Sequence, residues 1–206
     1  MVMKGPRVIL IGGAPLVGKT VVGRKLAARL EYGCISTDDI ADGIMAVTTE
    51  QTHPHLHLLE QKDHRKYFVT RTVARMVADA EYRNEGLWPA LKKVIVKHAE
   101  WAAPVVLEGW HLVPKKVAQL ELPGILSLWL VGEEAVFRER VQEQAGSFEQ
   151  TSMAEELVRK FIERSMALND GIREAAESLG LPVVKVGQGE TVGEVFEDCW
   201  ETLSRS

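Results

Sequence analysis

The chain has 206 residues, with 25 lysines and arginines against 29 aspartates and glutamates, for a formal net charge of −4. Such a length suits one domain able to bury a full core. The acidic balance, with a pI near 5.9, argues against nucleic acid as a partner. No apolar run approaches the ~20 residues that cross a bilayer, so no membrane partner is expected.

The first element is Arg7–Thr20, RVILIGGAPLVGKT. Val8–Ile11 is apolar and mostly β-branched, long enough for one buried strand. It breaks into Gly13-Ala14-Pro15-Leu16-Val17-Gly18-Lys19-Thr20, which fits the phosphate-loop pattern G-x-x-x-x-G-K-[ST] between a strand and an amphipathic helix. Glycines let successive N–H groups curl around anionic oxygens, and the positive end of the next helix points at the same place. Residues 13–20, with Val21, are therefore the candidate nucleotide-binding set, and ATP is the expected nucleotide. Lys19 is expected to reach the β- and γ-phosphates and the Thr20 hydroxyl to ligate Mg²⁺. Leu16 stands where many such loops carry glycine, and Pro15 removes one N–H.

Thr20–Leu30 has helical spacing and stops at Tyr32-Gly33; Cys34–Ser36 reads as a second strand. Thr37 or Asp38 suits the N-cap of a following helix. Asp38 also falls where a parallel strand meets a ligand crevice, able to take a proton from an attacking hydroxyl or hold a metal-bound water. Cys34 and Cys199 have no metal-ligand spacing and read as buried small apolar residues of a reducing cytoplasm.

His53, His55 and His57 alternate in a way that a metal site would use, with Glu60 or Asp63 to complete it. Pro54 favours a polar loop or a substrate contact instead. Gln61–Glu81 is predicted as a long helix in which Arg65, Arg71 and Arg75 are candidates for an acceptor's anionic group. Asn84-Glu85-Gly86 marks a break, and Pro89–Trp101 resumes as a helix with His98 facing inward.

Pro104–Leu107 is the third buried strand. Glu108 at its end is placed to bond the water shell of Mg²⁺, and His111 is either a substrate contact or a structural histidine. Ile125–Val131 is the fourth strand. The helices Glu133–Gln144 and Met153–Leu179 flank an interruption at Ala145-Gly146-Ser147 and carry Arg138, Arg140, Arg159 and Arg164. Arginines beside such a break suit a closing lid, and Arg138 is the first candidate for catalysis. Val183–Val186 is the fifth strand, Gln188 in the next loop is a candidate contact to the base, and Thr191 with Glu194 forms a capping box.

Alternating strands and helices predict an α/β fold with a five-stranded parallel sheet and helices on both faces, three layers in all. The motifs VILIGGAPLVGKT, CISTDDI, VVLEGWHLVP and NDGIREAAESLGLPVVKV resemble the small-molecule kinases of the phosphate-loop class, which include nucleoside monophosphate, shikimate and gluconate kinases. Within that class the resemblance is to the 2-phosphoglycerate kinases. It implies a single kinase domain over 1–206, with a helical substrate-binding region at about 40–103 and a lid at about 133–165. It further implies Mg²⁺ and ATP as donor, a small hydroxylated acceptor, and roles in the chemistry for Lys19, Thr20, Asp38 and Glu108. A switch GTPase acting through a protein partner would need N-K-x-D and D-x-x-G, and neither is present. Met1–Pro6 is too short for a leader, so a cytoplasmic monomer or homodimer is expected.

Overall fold

The computed structural model describes residues 5–58, 64–145 and 152–205. Five strands form one parallel sheet: β1 (Val8–Gly13), β2 (Gly33–Ser36), β3 (Val105–Glu108), β4 (Ile125–Gly132) and β5 (Val183–Val186). Their spatial order is β2-β3-β1-β4-β5. The helices are α1 (Lys19–Leu30), α2 (Thr37–Met45), α3 (His64–Thr70), α4 (Val73–Glu100), α5 (Pro114–Val117), α6 (Glu134–Ala145), α7 (Ser152–Ser178) and α8 (Val192–Ser204).

All of β1 is buried, as a central parallel strand covered on both faces must be. Its alternation divides the core. Ile9 and Ile11 pack with Val106, Leu128 and Leu130 against Val22 and Leu26 of α1 and Val195 and Cys199 of α8. Val8 and Leu10 pack with Val105, Leu107 and Trp129 against Ile95 of α4 and Ala176 of α7. The three-layer arrangement expected from the sequence is present. The connections leaving the adjacent strands β1 and β3 run in opposite directions, which opens a crevice at their carboxyl ends.

Between β2 and β3 lies a helical region packed through Ala41, Leu56, Leu87 and Leu91. Here the structure corrects the sequence reading. The break falls at Arg71-Thr72, where the Thr72 hydroxyl accepts from the Arg75 N–H at 3.2 Å and starts a new helix. That helix then runs without interruption through Asn84-Glu85-Gly86 and Pro89. Gly86 serves close packing instead of a turn, since a Cβ there would stand 2.3 Å from the Cβ of His55. Proline inside a helix costs about 3 kcal/mol. Burial of Leu87, Leu91 and Ile95 on the same helix offsets it at roughly 1.5–3 kcal/mol each. At the far end, His98 turns its ring to the Ala103 carbonyl instead of the core, and Arg7 donates to the His98 and Ala102 carbonyls.

Glu60, Gln61, Asp63 and the Gly146-Ser147 interruption lie outside the described residues, as does the side chain of Arg65. The cysteines divide: Cys199 is buried as expected, whereas Cys34 is exposed on the edge strand β2.

Past the end of β4, the side chain of Asn169 on α7 clamps Gly132. Its Oδ1 accepts from the Gly132 N–H at 2.9 Å and its Nδ2 donates to the Gly132 carbonyl at 3.1 Å. Asn169→Ala removes both partners of the partly buried Gly132 peptide and should cost about 1–2 kcal/mol. A urea unfolding midpoint equal to that of the parent chain would refute this.

Candidate active site

The phosphate loop takes its shape from three residues with positive φ. Gly13 sits at 147°, and a Cβ on it would lie 2.5 Å from the Leu130 carbonyl oxygen. Gly18 sits at 100° and is the N-cap of α1. Leu16 adopts φ 66°, a left-handed conformation that costs a residue with a Cβ about 1–2 kcal/mol. Its carbonyl accepts a 2.6 Å hydrogen bond from Nη1 of Arg140, which ties α6 to the loop. Gly18 brings no side-chain cap, and the first turn of α1 carries no acidic residue. The first N–H groups of the helix thus face the loop's hollow, an arrangement suited to an anion.

Lys19 is buried, and its Nζ donates to the Ala14 carbonyl at 2.7 Å. Burial pulls its pKa down to about 8 against the opposing pull of Glu108 and Asp38. The adjoining cavity, of about 360 Å³, is lined by Leu16–Val22, Arg140 and Glu143 of α6, and Val192 and Val195 of α8. The structure therefore sets Val192 beside the loop, while Gln188, the base contact expected from the sequence, is exposed in the loop before α8.

Carboxylates converge from the neighbouring strand ends. Register pairs Ser36 of β2 with Glu108 of β3, and β3 lies beside β1. Glu108 is 2% exposed and accepts from the Thr20 hydroxyl at 3.1 Å. Burial raises its pKa more than Lys19 and Thr20 lower it. Ser36, rather than Thr37 or Asp38, caps α2, accepting from the Asp38 N–H at 3.3 Å. Thr37 is buried instead, in a space that exists because position 109 is glycine: a Cβ there would stand 1.6 Å from the Thr37 hydroxyl oxygen. Asp38 is thereby free of capping. Its Oδ1 accepts from the Trp110 indole N–H at 2.9 Å and lies 3.3 Å from His111 Nε2. Burial would raise its pKa, but His111, Trp110 and Lys19 outweigh that and hold it below the usual carboxylate range.

Beyond Trp110 lies a smaller cavity, of about 30 Å³, lined by Arg83, Arg164, Asp79 and Tyr67 among others. Arg164 is buried with its guanidinium 5.6 Å from the Trp110 ring and 5.7 Å from the Phe68 ring. Asp79 is already engaged, by the Tyr67 hydroxyl and by Arg75, each at 2.9 Å. Among the described residues, the Nε atoms of Arg83 and Arg164 have no hydrogen-bond partner.

The structure separates the arginines of α6 and α7, which the sequence leaves equivalent. Arg138 pairs with Glu134 and Arg159 with Glu156 and Glu163, all on exposed helix faces. Arg140 reaches the loop and Arg164 the inner cavity. Arg138 is thus engaged within its own helix and does not line the cavity beside the loop. Of the earlier acceptor candidates, Arg75 is bound to Asp79 and Arg71 lies 5.8 Å from the Tyr67 ring. Arg83, Asn84 and Trp110 escaped sequence reading: a continuous α4 has to be known before Arg83 and Asn84 can be assigned a face. The histidines diverge as well. His57 is buried against the Thr48 hydroxyl at 2.8 Å, His55 stacks on Tyr82, and His53 is exposed. Among the described residues no group of three His, Cys, Asp or Glu could hold a metal ion.

No family model matches the chain. A 2-phosphoglycerate kinase of Pyrococcus horikoshii is 25% identical over 201 residues, covering 95% of this chain and 65% of that protein. The chain therefore spans a little under two thirds of that relative's length. A gluconokinase from Sinorhizobium meliloti has TM-score 0.59 at 18% identity, covering 98% of this chain and 94% of the other. A shikimate kinase from Acinetobacter baumannii, solved in complex with shikimate, has TM-score 0.52 at 16% identity over 98% and 96% of the two chains. The chain has the phosphate-loop kinase fold of these structures, and over nearly all its length its sequence is similar to that of a 2-phosphoglycerate kinase.

Proposed function

We propose that this protein is an ATP-dependent kinase that transfers the γ-phosphoryl group to a hydroxyl of a small anionic metabolite, with 2-phosphoglycerate the first acceptor to test. The observation that carries this reading is the convergence of Lys19, Thr20, Glu108 and Asp38 beside the uncapped end of α1. The cavity beyond Trp110 supports an anionic acceptor, since Arg83 and Arg164 line it with guanidinium Nε atoms that have no partner among the described residues. Residues 40–103 then form the acceptor side and 133–165 the lid. Arg140 is the lid residue facing the donor and Arg164 the one facing the acceptor.

Thr20 and Glu108 fit a Mg²⁺ site of the kind that draws its other ligands from phosphates and water. Their oxygens are 3.1 Å apart, and burial raises the pKa of the carboxylate, which a bound cation would oppose. Bound there, the ion would neutralise charge on the β- and γ-phosphates. The chain's own residues do the rest. The α1 amides and loop N–H groups seat the triphosphate. Lys19 gives up the Ala14 carbonyl for phosphate oxygens, a better partner for an ammonium. Asp38 receives the acceptor's hydroxyl. A carboxylate held below its ordinary pKa is a weak base, so its main work is orientation, with the proton passing late in a loose, in-line transfer.

Three outcomes are expected. Lys19→Ala should lower ATP-dependent phosphorylation of 2-phosphoglycerate by at least ~10³-fold, a loss of roughly 4 kcal/mol in transition-state binding; a variant as active as the parent would exclude the loop from catalysis. Affinity for Mg-ATP should be flat below pH 7.5 and fall above about 8. The sign follows because Lys19 loses its proton near 8 in the free protein, while a bound polyanion favours the ammonium, so binding takes up a proton. Titration calorimetry of parent and Lys19→Met, which should lack the fall, checks it; affinity that rises above pH 8 contradicts it. Finally, Arg83→Met and Arg164→Met should each raise the acceptor KM about 10- to 100-fold and leave the ATP KM unchanged. Initial rates against acceptor concentration decide the point, and an unchanged acceptor KM would remove both from that site.

A further inference from the structure

Two neighbours of Asp38 have no part in the scheme so far. His111 is fully buried, its ring packed 3.9 Å centroid to centroid on Trp110. One ring nitrogen, Nδ1, lies 2.6 Å from Asn84 Oδ1 on α4; the other, Nε2, lies 3.3 Å from Asp38 Oδ1. The second contact is within ion-pair range but poorly directed as a hydrogen bond. A histidine needed only to fill space would be better replaced by an apolar side chain, because a buried ring nitrogen must be satisfied. Here both nitrogens point along one line that starts on the acceptor-side helix and ends on a half-exposed carboxylate.

We infer that His111, anchored by Asn84, is a positioning residue that acts through Asp38. It rests on the reading of Asp38 as the group that receives the acceptor's hydroxyl. A carboxylate on a single strand end can rotate about its Cα–Cβ and Cβ–Cγ bonds. The Trp110 N–H donates to its Oδ1 and His111 Nε2 stands 3.3 Å from the same oxygen; with a proton on Nε2 the two together would fix the plane of the carboxylate and leave Oδ2 for the acceptor. For that, the proton must sit on Nε2. As it stands Asn84 turns Oδ1, an acceptor, to Nδ1; a neutral ring with its proton on Nε2 needs the amide in its other orientation, with Nδ2 donating to Nδ1. The arrangement links acceptor-side α4 to the carboxylate through one ring, so movement of the helix by a fraction of an ångström reaches the reacting hydroxyl.

The test uses the two amide residues that imitate one ring nitrogen each. In His111→Gln the amide N–H takes the place of Nε2–H and keeps the link to Asp38; in His111→Asn it takes the place of Nδ1 and keeps only the link to Asn84. With 2-phosphoglycerate and Mg-ATP as substrates, His111→Gln should keep kcat within about threefold of the parent, while His111→Asn and His111→Leu should lose about 10- to 100-fold. The ATP KM should not move. In an Asp38→Asn background, His111→Leu should cause no further loss, as a residue acting through Asp38 requires. Equal losses in the Gln and Asn variants, or losses that multiply with Asp38→Asn, overturn the inference. A second arm needs no acceptor: long-range proton–nitrogen NMR of the parent should show the His111 proton on Nε2, with a shift that changes in Asp38→Asn. A proton on Nδ1 alone, or a signal indifferent to Asp38→Asn, overturns it too. Asp38→Asn with full activity would instead refute the role given to Asp38, and no turnover of 2-phosphoglycerate by the parent would refute that acceptor. Both are distinguishable from a failure at His111.

Discussion

A buried ammonium at the mouth of a helix is the constraint around which the site is arranged. Lys19 is out of water, beside the positive end of α1, and its charge is opposed by burial and supported by Glu108 and Asp38. Isolated, such a group would shed its proton; the Ala14 carbonyl and two carboxylates keep that tendency in check. The result is a cluster that lacks negative charge at one point, the hollow between loop and helix. In the proposed function a polyphosphate supplies that charge, and the carboxylates that favour the charged lysine are the two given work in the transfer, Glu108 toward a metal ion and Asp38 toward the acceptor.

The fold brings these groups together through strand order more than through local sequence. Glu108 reaches Thr20 because β3 inserts between β2 and β1, and Asp38 stands nearby because β2 pairs with β3 in a register that sets Ser36 opposite Glu108. Close approaches hold the geometry. Gly13 lies against Leu130, and Gly109 against Thr37, so a single methyl at either place would push strand ends apart. Leu16 is the exception. It holds a left-handed conformation despite its Cβ, and the Arg140 bond to its carbonyl is the visible compensation. The phosphate loop and α6 are therefore coupled.

How much of this could be read from sequence depended on the range of the interaction. The phosphate loop, the five strands and the Thr191–Glu194 capping box are local patterns, and they were legible. So was the position of Glu108 at the end of β3, because an acid closing an apolar strand is a local signal. The failures share a cause. Asn84-Glu85-Gly86 has the composition of a turn, but His55 packs on Gly86 and the apolar face of α4 carries the helix through it. With the helix divided on paper, Arg83 and Asn84 had no face, and the inner cavity and the His111 anchor could not be foreseen. The lid arginines were indistinguishable because helical spacing shows only i,i+4 partners. It places Arg138 with Glu134 and says nothing of Arg140 with Leu16, which lie 124 residues apart. Val192 and Val195, which line the cavity beside the loop, are apolar and carry no signal in the sequence.

The central claim is that the hollow at the start of α1 receives a triphosphate and that Lys19 changes partner to do so. A crystal structure of the chain with Mg²⁺ and a non-hydrolysable ATP analogue tests this most directly. The account predicts the phosphates seated on the loop amides, with Nζ of Lys19 withdrawn from the Ala14 carbonyl and bonded to their oxygens. An analogue bound elsewhere, with Nζ still on Ala14, would contradict it.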